Sequence, residues 1–176
     1  MSGERSYRDA AEQPVSKDEL LDALRESGDE FLAKLRSLPE AGFEAGRYEQ
    51  GWNARQILAH VAAIEWTYAN LIDIAREAES APPADGEPAT RPIAGGMDAY
   101  NERQVAKRAD APVAELLDEF ERNREKTIAA VEEAPEPLFS VAIRSGGGIP
   151  GPLGSVLMAV AVSHVHEHLR DILGGG

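Results

Sequence analysis

Apolar residues recur along this chain at intervals of three and four, and each run breaks off at a cluster of proline and glycine. The first stripe is Leu20, Leu21, Leu24, Phe31, Leu32 and Leu35. Ser16 followed three residues later by Glu19 is a capping-box pair, and Pro39 ends the run, which predicts a helix over 17–38. The second stripe, Ile57, Val61, Ile64, Tyr68, Leu71 and Ile74, begins after Asn53, whose reciprocal capping partner is Gln56, and predicts a helix reaching Glu79. Pro82, Pro83, Gly86, Pro88, Pro92, Gly95 and Gly96 cannot continue that helix, and a connection this long suits a crossover between bundle helices that are not hairpin neighbours.

Helical spacing resumes at 97–109, where Asp110-Ala111-Pro112 reads as a cap followed by a proline in the first turn. Residues 113–133 then carry Leu116, Leu117, Phe120, Ile128 and Val131, giving a third helix kinked near Pro112 or two helices in series. The stretch 134–152 is again rich in proline and glycine, with 138–143 as a short extended piece. A last helix is predicted over 153–173, ahead of Gly174-Gly175-Gly176. The expected fold class is all-α, a four-helix bundle with a long crossover between helices two and three. Residues 1–15 are expected to form a disordered or loosely attached arm, and 16–176 the bundle domain.

Composition narrows the chemistry. A chain of 176 residues, 43% hydrophobic and 28% charged, suits one domain with a core large enough to fold unaided. Lysine and arginine total 18 against 31 acidic residues, and the net charge of -13 argues against nucleic acid and anionic membranes as partners. Cysteine is absent, so thiolate metal sites, disulfides and a cysteine nucleophile are excluded. The first residues are polar, and the longest apolar run, 156–162, is far too short to span a membrane, so the expected location is the cytoplasm.

All four histidines lie in two predicted helices: His60 in the second, and His164, His166 and His168 in the last. Four helical residues advance roughly 400°, which leaves His164 and His168 about 40° apart, whereas His166 is turned roughly 200° away from His164. His60 belongs to the row Ile57, His60, Ile64 and Leu71, and the final pair to the row Leu157, Ala161, His164, His168 and Ile172. A lone histidine on an apolar face is ordinarily a satisfied core residue. Three converging in an apolar bundle have few partners there, and a shared divalent cation accounts for them economically. Three protein ligands leave one coordination position for water or substrate.

The segment Gly51-Trp52-Asn53-Ala54-Arg55-Gln56-Ile57-Leu58-Ala59-His60-Val61-Ala62, followed much later by His164-x-x-x-His168, resembles the DinB-like superfamily. That group includes YfiT-like proteins, mycothiol-dependent maleylpyruvate isomerase and bacillithiol S-transferases. The resemblance implies a DinB/YfiT-type bundle, often a homodimer, with zinc or nickel held by His60, His164 and His168. Residues 98–105 resemble the start of the family's third helix. In the isomerase branch a glutamate opens the final pair, where this chain has His164. A nonhaem iron branch calls for His-x-x-x-His-x-Glu, and Arg170 stands where that glutamate belongs.

The activity implied is a metal-dependent thiol S-transferase, hydrolase or isomerase acting on a small electrophile, with a low-molecular-weight thiol as cosubstrate. The alternative is a non-catalytic, stress-associated bundle that binds a metal or ligand. No side chain is singled out as general base. Candidate substrate-binding residues are Trp52, which also suits a hydrophobic staple against Ile57, Arg55, facing an anion or solvent, and Tyr100 and Asn101 at the start of helix three. Glu65 is turned roughly 140° from His60, which favours a solvated or interhelical carboxylate, and Glu167 reads as an exposed acid or an outer hydrogen-bond partner of the cluster.

Overall fold

Both capping boxes form and start the two helices they were expected to start. In the computed structural model, which describes residues 11–48 and 51–174, Glu19 N donates to Ser16 Oγ at 3.2 Å and Ser16 N to Glu19 Oε2 at 2.9 Å, opening α1 (Lys17–Arg36). After the single turn α2 (Glu40–Phe43), Asn53 and Gln56 exchange the same pair of bonds, each 2.9 Å, and open α3 (Ala54–Glu65).

The predicted second helix does not run through to Glu79. At Trp66 the backbone tightens: Thr67 N bonds Ile64 O at 2.9 Å and Tyr68 N bonds Glu65 O at 3.3 Å, i to i−3 rather than i−4. The Thr67 hydroxyl takes the Ile64 carbonyl as well, at 2.6 Å, and α4 (Ala69–Ser80) restarts beyond it.

The connection 81–95 packs against the later hairpin, with Arg144 N donating to Ala89 O at 2.8 Å. Then come α5 (Gly96–Lys107) and α6 (Val113–Glu133), two helices in series rather than one kinked helix. Pro112 is itself the cap residue of α6, at φ -60° and ψ 150°, so it lies before the first turn rather than within it. The extended piece expected over 138–143 is confined to its end. Leu138 and Phe139 are buried in a 3₁₀ turn, and only β1 (Ala142–Arg144) pairs, antiparallel, with β2 (Pro150–Pro152).

The last helix follows one path but is wound in three ways: α7 (Leu153–Leu157), a π segment (Met158–Ser163) and α8 (His164–Ile172). Around the bundle, α6 packs against α1 and α3, α3 packs against α8, and α1 closes the ring on the π segment and α8. Contacts between α3 and α6 advance together, from Arg55 with the Ala111 carbonyl to Ala62 with Asn123 and Glu65 with Thr127, so these neighbours are parallel. A chain leaving the end of α4 must therefore travel back along the bundle before α6 begins. The connection 81–112 does so, with α5 lying against α3.

Two large apolar clusters and a small third one fill the interior of the described residues. One large cluster includes Leu20, Leu24, Ile72, Val131 and Leu157; the other includes Phe31, Trp52, Ile57, Phe120 and Leu169. On every helix of the ring the changeover falls beside a polar layer of Ser27, Glu65, Arg124 and Thr127, all buried. Within the expected arm, Ala11 is buried against Ile149 and Ala159, and Ser155 Oγ donates to Gln13 O at 2.7 Å. The remainder of the expected arm, residues 1–10, lies outside the described residues. Among the described residues no helix is long and apolar enough to cross a membrane.

Candidate metal centre

His60 projects from the middle of α3 and is 4% exposed; His168, on α8, is 9% exposed, and His164 is half-buried at the start of the same helix. One ring nitrogen from each lies within 4.8 Å of the other two. His164 Nε2 and His168 Nε2 face each other at 2.9 Å. The His60 ring stands nearly perpendicular to both, at centroid distances of 5.6 and 5.1 Å. His166 faces another way, 3.4 Å from Glu30 on α1, as the rotation arithmetic requires.

The π segment prepares this arrangement. His164 N bonds Ala159 O, five residues back, which closes the π winding just before the histidine pair. The Val160 carbonyl accepts a hydrogen bond from the His164 imidazole. Nε2 is turned toward His168, which leaves Nδ1 as the ring nitrogen on the Val160 side. His168 Nδ1 lies 3.4 Å from Asp171 Oδ2 on its outer side.

Burial, reinforced by repulsion from His168, pushes the His60 pKa down to about 3. Burial and repulsion from His168 and His60 push His164 well below its ordinary range, only partly offset by the Val160 bond. Both imidazoles are therefore neutral at pH 7, the form in which imidazole ligates a metal. Three ring nitrogens within 4.8 Å of one another form a donor set that could hold one divalent cation.

The other candidates fall in different places. Trp52 is buried with its ring 5.3 Å from that of His60, and it shares an apolar cluster with Ile57. Arg55 is held by backbone carbonyls. Its guanidinium donates to Ala109 O at 2.8 Å and to Ala111 O, clamping the start of α3 to the segment before α6. Tyr100 and Asn101 stand on α5, against the helix that carries His60. Tyr100 Oη and Asn101 Oδ1 are shielded from solvent with no hydrogen-bond partner among the described residues. Glu167 is half-buried rather than exposed.

Glu65 is fully buried and interhelical. Arg124 Nε lies 2.7 Å from its Oε1, and Nη2 donates to Oε2 at 3.1 Å. Burial pushes the Glu65 carboxyl up, and Arg124 opposes that shift. Arg124, Ser27 and Thr127 were not singled out from the sequence. Their signal is nonetheless there, since each is a polar residue at a core-stripe position: Arg124 between Phe120 and Val131, Ser27 between Leu24 and Phe31.

The fold is similar to that of a mycothiol-dependent maleylpyruvate isomerase, with a TM-score of 0.69, 19% identity and coverage of 90% of this chain and 61% of that one. A histidine-to-alanine variant of the isomerase is equally similar, with a TM-score of 0.69 at 18% identity, covering 90% of this chain and 61% of that one. YfiT from Bacillus subtilis, described as a probable metal-dependent hydrolase with an unusual four-helix bundle topology, matches with a TM-score of 0.68 and 17% identity over 92% of this chain and 88% of that one. The chain thus spans about three-fifths of the isomerase's length. Comparison with curated proteins gives no match. The profile of one family matches residues 24–172, most of the bundle, and on that match the chain belongs to the mycothiol maleylpyruvate isomerase N-terminal domain family.

Proposed function

We propose that this protein is a divalent-metal-dependent enzyme in which His60, His164 and His168 hold zinc or nickel. The observation that carries the reading is the convergence of three imidazoles, from two segments nearly a hundred residues apart, to within 4.8 Å in an apolar interior. Without a cation a proton shared by two of the rings serves only that pair, whereas one metal ion takes a lone pair from all three. Imidazole suits zinc and nickel, and the absence of cysteine removes the ligand that usually closes a structural zinc site.

Held by three imidazoles, such a metal keeps a coordination position at which a water or thiol is acidified. The chain's own residues then shape that position. Trp52 covers one side of His60 and excludes water there, and Tyr100 and Asn101 supply polar groups for a substrate. The reaction proposed is thiol S-transfer, hydrolysis or isomerisation of a small electrophile, with a low-molecular-weight thiol such as mycothiol, named for the similar isomerase, as cosubstrate. The partners are small molecules rather than nucleic acid. A cytoplasmic homodimer is the assembly this reading carries, and light scattering checks it.

Elemental analysis of protein purified without a histidine tag tests the metal, and thiol-dependent and hydrolytic assays before and after chelation test the chemistry. About one equivalent of zinc or nickel and turnover lost on chelation are expected. Bound metal without turnover across the panel assigns the protein to the alternative, a non-catalytic metal- or ligand-binding bundle. Metal-independent turnover overturns the proposal.

A further inference from the structure

One side chain touches the backbone or side chains of three of the bundle's four walls. Arg124, 3% exposed on α6, donates from Nη1 to Leu24 O at 3.0 Å and Ser27 Oγ at 3.1 Å on α1. Its Nη2 donates to Glu65 Oε2 at 3.1 Å on α3 and to Ala161 O at 2.6 Å in the π segment. The fit on the α1 side is tight: a Cβ added at Gly28 would stand 3.2 Å from Arg124 Cγ. Glu65 lies one and a half turns beyond His60 on α3, and Ala161 lies one turn before His164.

We propose that the Arg124–Glu65 pair is the positioning element of the histidine cluster, with one guanidinium locking the His60 helix and the π turn before His164 into a single register. Two features of the structure require such an element. A π turn is a rare winding inside an α-helix, and Arg124 donates to its Ala161 carbonyl from another wall of the bundle. The adjoining carbonyl, Val160, receives the His164 imidazole, so the backbone held by Arg124 is the one that sets the orientation of that ring. A buried ion pair contributes little net stability compared with well-packed apolar residues, so its presence here is better explained by register than by folding energy. The proposal rests on the metal reading for its consequence but on metal-free geometry for its test.

The test compares wild type, Arg124→Lys, the apolar double variant Arg124→Met with Glu65→Leu, and Val131→Ala as a core-destabilised control, each checked for fold by circular dichroism and urea midpoint. Cobalt(II) titration reads affinity and the visible d–d spectrum; ¹⁵N shifts of the His164 ring in metal-free protein read its tautomer. Wild type is expected to bind one cobalt and to show the Nδ1–H tautomer. The double variant should lose roughly 10-fold or more in cobalt affinity, change its spectrum and show mixed tautomers, the size of effect known for outer partners of metal ligands. Arg124→Lys, unable to serve all four acceptors, should shift the same way by less, and it carries the test if the double variant fails to fold. Val131→Ala should lose stability with cobalt affinity unchanged. A folded double variant with wild-type affinity, spectrum and tautomer overturns the proposal. If wild type binds no cobalt, the metal reading falls by itself, and the His164 tautomer still decides: altered in the double variant supports positioning, unaltered overturns it.

Discussion

His164 Nε2 and His168 Nε2 face each other at 2.9 Å, one helical turn apart, while the other nitrogen of His164 is occupied by the Val160 carbonyl. Two lone pairs so placed need a shared proton or a shared cation, and His60 brings a third from the antiparallel wall. On the proposed reading, removing any one imidazole removes a ligand rather than an outer partner. His60→Ala and His168→Ala are expected to lower zinc or nickel affinity by more than the roughly 10–100-fold that losing an outer partner costs. His166→Ala, directed at Glu30, should leave metal content unchanged. Elemental analysis after dialysis checks all three, and a retained equivalent of metal in His168→Ala would refute the assignment.

The buried ion pair has a stability consequence separate from its proposed role in register. Arg124→Ala leaves Glu65 in a fully buried position with its charge unpaired, and burial already pushes that carboxyl toward its neutral form. The expected cost is about 3–5 kcal/mol, seen as a lower urea midpoint at pH 7. Replacing both partners by Met and Leu should recover most of it. Equal losses in the single and double variants would show that the cost is one of packing rather than of an unpaired charge.

The hydrophobic period and the capping pairs made α1, α3 and α6 legible because each helix buries one face and shows the other. The histidine row was legible for the same reason, since rotation along α8 alone separates His164 and His168 from His166. The break at Trp66 was not, because Ile64, Tyr68, Leu71 and Ile74 keep helical step straight across it and the local tightening depends on the Thr67 hydroxyl. The π segment was hidden differently: residues 156–162 are apolar on every side and carry no phase. Its winding is supported by Arg124, on another helix, and a tertiary donor of that kind has no local signature.

Arg55 offers a discriminating variant, since a substrate clamp and a structural clamp fail in different ways. Its two donors go to the Ala109 and Ala111 carbonyls, charge-assisted bonds worth about 1.5–3 kcal/mol each. Arg55→Ala is expected to lower the urea midpoint and to raise hydrogen exchange over 108–112, with KM for an anionic substrate changed little. A variant of wild-type stability with a sharply raised KM would return Arg55 to the substrate.

Acid should destabilise the metal-free protein through the same imidazoles that favour the metal. The His60 pKa falls from an ordinary 6.5 to about 3 on folding, chiefly through burial, so below 6.5 the unfolded chain binds a proton that the folded chain refuses. Stability is then complete above the unfolded value and declines as pH drops toward the folded one. At pH 5 a single imidazole of this kind accounts for about 2 kcal/mol. His164, shifted in the same direction, adds to the slope. Urea midpoints of chelated protein at pH 7 and pH 5 should therefore differ, and His60→Leu should flatten the difference because its side chain has no proton to bind. Adding zinc at pH 7 should raise the midpoint, and acidification should erase that gain as protons compete for the same lone pairs. A chelated protein equally stable at both pH values would mean that folded and unfolded rings take up protons alike, so that burial does not hold the His60 imidazole neutral.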